Sequence, residues 1–226
     1  MMIFTAINKI PTPDELMKRL MAYAKIDFIK NPEDDDDFFG SHFLRTYHYD
    51  KDWINSGHFF KIDDSGGDHY HILFSAEGCM IKGFDHECEV SPYNYDESFP
   101  IPNCISEHDF YKGAPDELIT LINDPALEKE IVTFCTWQSV DDNEWQFAPS
   151  TIPKNWCDGI DTFLYYSQNF EQYCEWFEEC YETEPDINIL RSIFEGNSIT
   201  ADMVAALNPD VSPTIVLDDL QKMFTM

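Results

Sequence analysis

Two histidines, His69 and His71, stand two positions apart in a stretch where they alternate with aromatic and aliphatic residues. Side chains two apart on a β-strand point to the same face. Two imidazoles on one face can bind zinc or iron when a further ligand comes from a neighbouring segment. His86 is the third candidate metal ligand, and a metal with an open position would activate water for hydrolysis.

A second chemical group is formed by Asp85, His86 and Glu87, which are consecutive in the chain. A carboxylate beside an imidazole can orient and charge it for acid–base catalysis, so these three are candidate catalytic residues. Neighbours on a strand point to opposite faces, and only a turn would let them converge. The alternative is structural: Asp85 caps a loop by accepting hydrogen bonds from backbone amides.

A third group lies in residues 155–190, which contain nine acidic residues and neither Lys nor Arg. A tryptophan among glutamates would bind a basic protein surface, with the ring supplying area and the charges supplying steering. The alternative is a solvated helix face with the tryptophan tucked partly into the core. The candidate partner-binding residues are Trp176, Glu171, Glu175, Glu178 and Glu179.

These residues must be positioned by two kinds of element. Thr12, followed by Pro13 and Glu15, predicts the start of a helix that fades between Lys25 and Phe28. Short runs of aromatic and β-branched residues separated by glycine turns are typical of an antiparallel meander. The predicted strands cover residues 42–49, 57–62, 69–74, 79–84 and 131–138, with a hairpin partner at 145–147.

The last third of the chain has helical periodicity. Ser167 is predicted to cap a helix that runs to about Glu182, and Asp186, Thr200 and Ser212 to start three more. The sequence therefore predicts an α+β fold, with a meander sheet, an N-terminal helix and a helical C-terminal region. We expect one domain over residues 1–226, with its β-rich part at about 40–150 and its helical part at about 158–226.

The charge balance limits the partners of this chain. It has 43 Asp and Glu against 14 Lys and Arg, a formal net charge of −29. Such a protein repels nucleic-acid phosphates and anionic membranes, so we expect no nucleic acid and no membrane among its partners. A basic protein fits the field better. Seven cysteines with scattered spacings do not form a disulfide framework, which indicates a reducing, cytoplasmic location.

The segment Gly83-Phe84-Asp85-His86-Glu87, followed by Ser91-Pro92-Tyr93, resembles a family of uncharacterised, acidic, bacterial cytosolic proteins. The likeness continues through residues 133–137, 141–145, 173–182 and 207–209. It implies a bacterial cytosolic protein with one architecture. The family has no assigned activity, so the resemblance implies no catalytic residue.

Three functions remain open from the sequence. The preferred one is a binding protein for a basic macromolecule, of the immunity type that inhibits a toxic bacterial enzyme. The alternative is a metal-dependent hydrolase at the histidine and carboxylate cluster, with a divalent metal as its cofactor. The third is a small-ligand module with an aromatic pocket. Its candidate lining residues are Tyr47, Trp53, Phe59, Tyr93 and Tyr95.

Overall fold

The computed structural model describes residues 6–32, 45–53, 57–93, 110–149 and 156–224. Tyr95 and positions 42–44 of the first predicted strand lie outside these ranges. The predicted fold class is confirmed: an N-terminal helix, an antiparallel sheet in meander order and a set of C-terminal helices make an α+β fold.

The N-terminal helix α1 spans Pro13–Lys30. The Oγ1 atom of Thr12 accepts a hydrogen bond from the amide of Glu15, which satisfies one of the free amides at the helix start. The helix does not fade where its apolar period weakens. Ile26, Phe28 and Ile29 are buried, so tertiary packing carries the helix two residues beyond the range in which it was predicted to fade.

The described strands form one sheet in the order β1-β2-β3-β4-β5-β6, with every neighbouring pair antiparallel. They are β1 Tyr47–Asp50, β2 His58–Asp63, β3 His69–Ser75, β4 Gly78–Phe84, β5 Phe134–Ser139 and β6 Gln146–Phe147. The turn between β2 and β3 is held by its own carboxylates, because Asp63 accepts from the amide of Ser65 and Asp64 from those of Gly66 and Asp68.

Helix α2 spans Asp116–Leu121, between β4 and β5. The C-terminal helices are α3 Ile160–Tyr166, α4 Phe170–Tyr181, α5 Ile187–Phe194, α6 Ala201–Leu207 and α7 Pro213–Phe224. Short 3-10 turns occupy Ile7–Lys9 and Pro125–Leu127. Asp186 and Thr200 cap α5 and α6 as predicted.

The start predicted for the helix that ends near Glu182 is wrong. Ser167 does not cap it but closes α3, its amide bonding to the carbonyl of Phe163. Asn169 caps α4 instead, through a capping box in which its side chain and that of Gln172 accept from each other's backbone amides. The predicted helix thus corresponds to α4, which begins two residues later than predicted, and a separate helix, α3, precedes it.

The two faces of the sheet carry different covers. The helical face packs against α1 and α3 to α7 in a core that includes Tyr47, Tyr70 and Ile72. The opposite face packs against α2 and the turn at Pro125–Leu127, around Leu73 and Met80. Strand side chains alternate between these faces, so even residues of β3 and odd residues of β4 belong to the helical face.

The apolar residues of this fold pack into the two cores, one on each face of the sheet. Cys135 and Cys174 are both buried. Within the part of the chain that the structure describes, no helix combines the length and the apolar character that crossing a bilayer requires.

Candidate functional site

A row of polar side chains crosses the middle of the sheet on its opposite face. Lys61 of β2 pairs with His71 of β3, and His71 pairs in turn with Lys82 of β4. Cys135 of β5 continues the row beside Lys82. Directly opposed residues of antiparallel strands project to one face, with Cβ atoms about 5 Å apart. The register therefore places two lysines and a histidine side by side.

His69 lies two residues before His71 on β3 and so points to the same face of the sheet. Its ring centroid lies 5.1 Å from that of His71, so the two histidines share a face as predicted. The ring of His69 also packs 5.1 Å from Phe84, and the ring of His71 lies 5.7 Å from Phe59. We call Lys61, His69, His71 and Lys82 the basic cluster.

Lys82 is the most deeply buried member of the basic cluster, with 0% of its surface exposed. Burial disfavours the charged ammonium and lowers the pKa of Lys82 to about 8, while Glu128 and Glu130 act more weakly in the other direction. At neutral pH the amine is still mostly protonated. The protein therefore carries a buried positive charge in a chain whose net charge is strongly negative.

The two histidines are uncharged beside this ammonium. Burial, followed by the charge of Lys82, lowers the pKa of His69 to about 4 and that of His71 well below its ordinary value. Neutral imidazole carries one N–H donor and one acceptor nitrogen. Both histidines are thus available as hydrogen-bonding groups and not as cations.

Three buried nitrogens of the basic cluster lack a hydrogen-bond partner among the described residues: Nζ of Lys82, Nδ1 of His71 and Nε2 of His69. Lys61 differs, because its Nζ lies 2.6 Å from a carboxylate oxygen of Asp63. Buried polar groups in proteins are nearly always bonded, and an unbonded charged one costs several kcal/mol. The cluster is therefore an energetically unfavourable arrangement that the fold maintains.

The structure does not assemble the predicted metal site of His69, His71 and His86. Within the described residues, no three or more His, Cys, Asp and Glu side chains are arranged to hold a metal ion. His69 and His71 are close together, but the lysine beside them repels a cation. His86 is committed to a different partner. The geometry therefore does not favour the hydrolase hypothesis.

That partner is Asp68, the residue before β3. Both the Nδ1 atom and the backbone amide of His86 approach Oδ1 of Asp68, at 2.7 Å and 2.9 Å. This hydrogen bond is the main cause that raises the pKa of His86. Asp68 is buried whereas His86 is exposed, so the pair orients an imidazole at the surface.

Asp85 behaves as the structural alternative predicted. Its Oδ1 atom accepts from the amides of Glu87 and Cys88, at 3.1 Å and 3.0 Å, and its Oδ2 atom accepts from the Thr162 hydroxyl at 3.2 Å. It thereby caps the loop after β4 and ties it to α3. Glu87 is exposed, 3.9 Å from Nε2 of His86. The carboxylate of Asp85 and the imidazole of His86 thus bind different partners and do not form a catalytic dyad. The catalytic role of Asp85, His86 and Glu87 remains a prediction.

The outer side of α4 is a row of exposed glutamates. Positions three and four apart on a helix share a face, and the buried residues of α4 occupy the other side. Of the described cations, one lies within 4 Å of these carboxylates: Arg191, whose Nη2 atom is 3.7 Å from Glu171. We call the following exposed residues the acidic face: Glu171, Glu175, Glu178, Glu179 and Glu182.

The expectation that Trp176 anchors a partner from this helix is corrected by its burial. Trp176 is 6% exposed and lies in the core on the helical face. Its ring meets Tyr47 edge-on at 5.4 Å and stacks near Tyr173 at 5.3 Å. The helical period explains this, because position 176 falls on the same side of α4 as positions 173 and 177.

An exposed aromatic does lie beside the acidic face, but it comes from α3. Tyr165 is 46% exposed, and its ring meets Tyr166 edge-on at 5.3 Å. Partial burial and then the nearby carboxylate of Glu179 raise the pKa of Tyr165. The surface thus combines an exposed aromatic ring with glutamates, as the sequence analysis proposed, but the ring is that of Tyr165 and not that of Trp176.

A scan against protein-family models, a search of curated proteins and a search of solved structures each find no match to this chain.

The residues proposed for an aromatic pocket lie on different parts of the fold. Tyr47 is on the helical face, whereas Phe59 stacks with Trp53 at 4.8 Å on the opposite face. Tyr93 is 51% exposed and packs edge-on against Phe84. The described members therefore do not line a common pocket.

Two residues of interest escaped the sequence reasoning. Lys82 lies within the predicted strand 79–84, and the turn at 76–78 fixes a register that sets it beside His71. Tyr165 lay in a stretch taken to precede a helix starting at Ser167. Asn169 followed three residues later by Gln172 was the local signal that could have located the break.

Proposed function

We propose that this protein binds a basic protein partner through the acidic face of α4 together with Tyr165 of α3. The observation that carries the proposal is the exposure of the glutamates on one side of α4, with a single described cation within 4 Å of them. A binding protein needs such a surface to be stable in water and still favour an oppositely charged partner.

The repulsion within the acidic face supports this proposal. Like charges four residues apart destabilise an isolated helix by about 0.2–0.5 kcal/mol per pair. Glu171 with Glu175, and Glu175 with Glu179, are such pairs. Lysines or arginines of a partner would relieve this repulsion. The net charge of −29 would also speed the approach of a basic protein and slow that of polyanions.

Tyr165 would supply the contact area that charges lack. Interfaces obtain most of their binding energy from a few buried anchors, and tyrosine is among the commonest. Rim charges mainly accelerate association. An inhibitor of a basic toxic enzyme, of the immunity type, is the specific form of this function that we favour.

A comparative pulldown tests the proposal. Wild-type protein, the variant Glu175→Gln/Glu178→Gln/Glu179→Gln and a matched control would capture partners from cells that naturally produce the chain, at low and high salt. The control, Glu77→Gln/Glu117→Gln/Glu144→Gln, removes three exposed glutamates elsewhere on the protein. It therefore has the same net charge as the α4 variant. We expect a basic protein on the wild type and the control at low salt, released at high salt and depleted about tenfold or more on the α4 variant. Equal capture by all three proteins contradicts the proposal.

A further inference from the structure

A cleft separate from the acidic face lies between α1, α7 and residues 196–199 of the connection from α5 to α6. Its volume is about 570 Å³, within the range of small-ligand sites in proteins. Lys25 of α1 is the one charged residue among the described residues that line it, in a chain where 43 acidic residues face 14 basic ones. We infer that this cleft binds a small organic monocarboxylate, whose charge Lys25 neutralises.

The ammonium of Lys25 is half-buried and has no partner among the described residues. Burial lowers the pKa of Lys25, and no described carboxylate acts in the other direction or lies within 4 Å of its Nζ atom. Arg19 of the same helix, by contrast, pairs with Glu15 at 2.9 Å. Nζ of Lys30 donates to the carbonyl of Leu207 at 3.2 Å. A bound carboxylate would give Lys25 the charge-assisted hydrogen bond that it lacks.

The ring of Phe224 shows that this ammonium lies at the cleft. Nζ of Lys25 is 5.7 Å from the centroid of that ring, and both residues line the cleft. Cation–π attraction reaches to about 6 Å, so a ring at this distance contributes little. The positive charge is therefore still available to a ligand.

The rest of the lining is uncharged and suits a ligand with an apolar part. Leu217, Leu220 and Phe224 lie on one side of α7 and form an apolar wall. The exposed side chains of Asn197 and Gln221 carry amide donors that can bond carboxylate oxygens. The negative field of the whole protein disfavours a multivalent anion more than a monovalent one. The cleft therefore favours a single carboxylate on a short hydrocarbon body.

The acidic residues of α7 do not neutralise Lys25. Asp218 and Asp219 follow Leu217 in the chain, but the helical period turns them away from the apolar wall, and neither lines the cleft. Asp219 is also engaged by Nζ of Lys222 at 2.7 Å. Among the described residues the cleft thus has a cation and no carboxylate of its own.

NMR titrations of isotope-labelled protein, at about 0.15 M NaCl to screen long-range repulsion, test the inference. The probes are butyrate, benzoate, the uncharged analogue butyramide, and sulfate as an anion without an apolar part. Lys25→Met removes the ammonium and retains the length of the side chain. Lys112→Met is the matched control, because Lys112 is exposed and follows Tyr111 on the opposite face of the sheet.

A second pair of variants changes the cleft without touching the core. Gln221→Glu adds a carboxylate at the exposed edge of the cleft. Asn143→Asp adds the same charge at an exposed position between β5 and β6 and is its control. Repulsion between the new carboxylate and a bound one should weaken binding in Gln221→Glu alone.

We expect butyrate, benzoate or both to shift the amide signals of residues 196–199 and 221 saturably, in the wild type and in the two controls. Lys25→Met and Gln221→Glu should each weaken this binding about tenfold or more, the worth of a charge-assisted hydrogen bond. Butyramide and sulfate should bind more weakly than the carboxylates by a similar factor.

Four results would overturn the inference. They are the absence of saturable shifts at the cleft with both carboxylates, equal affinity of the wild type and Lys25→Met, butyramide binding as tight as that of butyrate, and sulfate binding as tight as that of the carboxylates. The third would show that the ammonium does not select the ligand. The last would show that the apolar wall contributes nothing.

Discussion

Lys82 and His71 are directly paired across β4 and β3, and both side chains are buried on the opposite face of the sheet. A buried ammonium thus meets a neutral imidazole in the middle of the sheet. Pairs of this kind reduce stability, since each group loses water and neither supplies the other with a negative charge.

Lys82→Met should stabilise the protein near neutral pH. The pKa of Lys82 is about 8 in the folded state and 10.5 without burial. Below about pH 8 both states are protonated and the folded state bears the full desolvation penalty, on the order of 3 kcal/mol. Between about pH 8 and about pH 10.5 the folded state has lost a proton that the unfolded chain keeps, so the wild type recovers stability. The advantage of Lys82→Met should fade over that range.

Urea unfolding of both proteins at several pH values measures this difference. Lys112→Met, at an exposed position, is the control and should show little change at any pH. A Lys82→Met variant that is less stable than the wild type at about pH 7, or equally different at every pH, would contradict the assignment of a buried ammonium.

Asp68→Asn should lower the pKa of His86, because the hydrogen bond from Asp68 is the main cause that raises it. The raised pKa stabilises the fold below the pKa of the unfolded chain, and this contribution is lost as pH rises through the folded value. His86 is exposed, so the effect should stay below about 1 kcal/mol.

An NMR titration of the histidine rings reads the His86 pKa directly. His58 is the internal control, since burial lowers its pKa and its ring bonds to the hydroxyl of Tyr49 at 2.8 Å. The titration of His58 should be the same in both proteins. An unchanged pKa of His86 in Asp68→Asn would show that the pair does not form in solution.

Trp176→Ala and Tyr165→Ala should differ sharply in stability. Trp176 is buried against Tyr47 and Tyr173, so its removal leaves a cavity and should cost about 3–5 kcal/mol. Tyr165 is nearly half exposed, and its removal should cost less than about 1 kcal/mol. Chemical denaturation of the two variants checks this contrast. Equal losses would mean that the two aromatics do not occupy these places.

Asn169→Ala and Ser167→Ala test where α4 begins. Asn169 satisfies the amide of Gln172, so its loss should destabilise the protein by about 1 kcal/mol. The buried hydroxyl of Ser167 has no partner among the described residues, so its removal should be neutral or mildly stabilising. Thermal unfolding of both variants gives the order. Greater damage from Ser167→Ala would support the start predicted from the sequence.

The sheet could be predicted because its signals are local. Alternating strands separated by turns at 63–68 and 76–78 fix both the meander order and the pairing. The caps at Thr12, Asp186 and Thr200 are local too, since each side chain bonds amides within three residues. Local signals of this kind survive into the fold whenever tertiary packing does not oppose them.

The basic cluster could not be predicted, because it depends on contacts between distant parts of the chain. A lysine at position 82 is typical of a strand with one solvent-exposed face. It is buried here because α2 and the turn at Pro125–Leu127 cover the opposite face. The amino-acid sequence of β4 gives no indication that these elements pack over it. Trp176 is different: its period with Tyr173 on α4 indicated burial, and the surrounding glutamates obscured that signal.

Site-specific photo-crosslinking tests the proposed binding surface most directly. A photoreactive phenylalanine derivative would replace Glu175 on the acidic face or, as the control, Glu117 at the exposed start of α2 on the opposite side of the sheet. Both positions lose one carboxylate, so the net charge is the same. We predict that a basic protein is crosslinked from position 175 and not from position 117. Crosslinking of that protein from position 117 alone, or equally from both, would contradict the account.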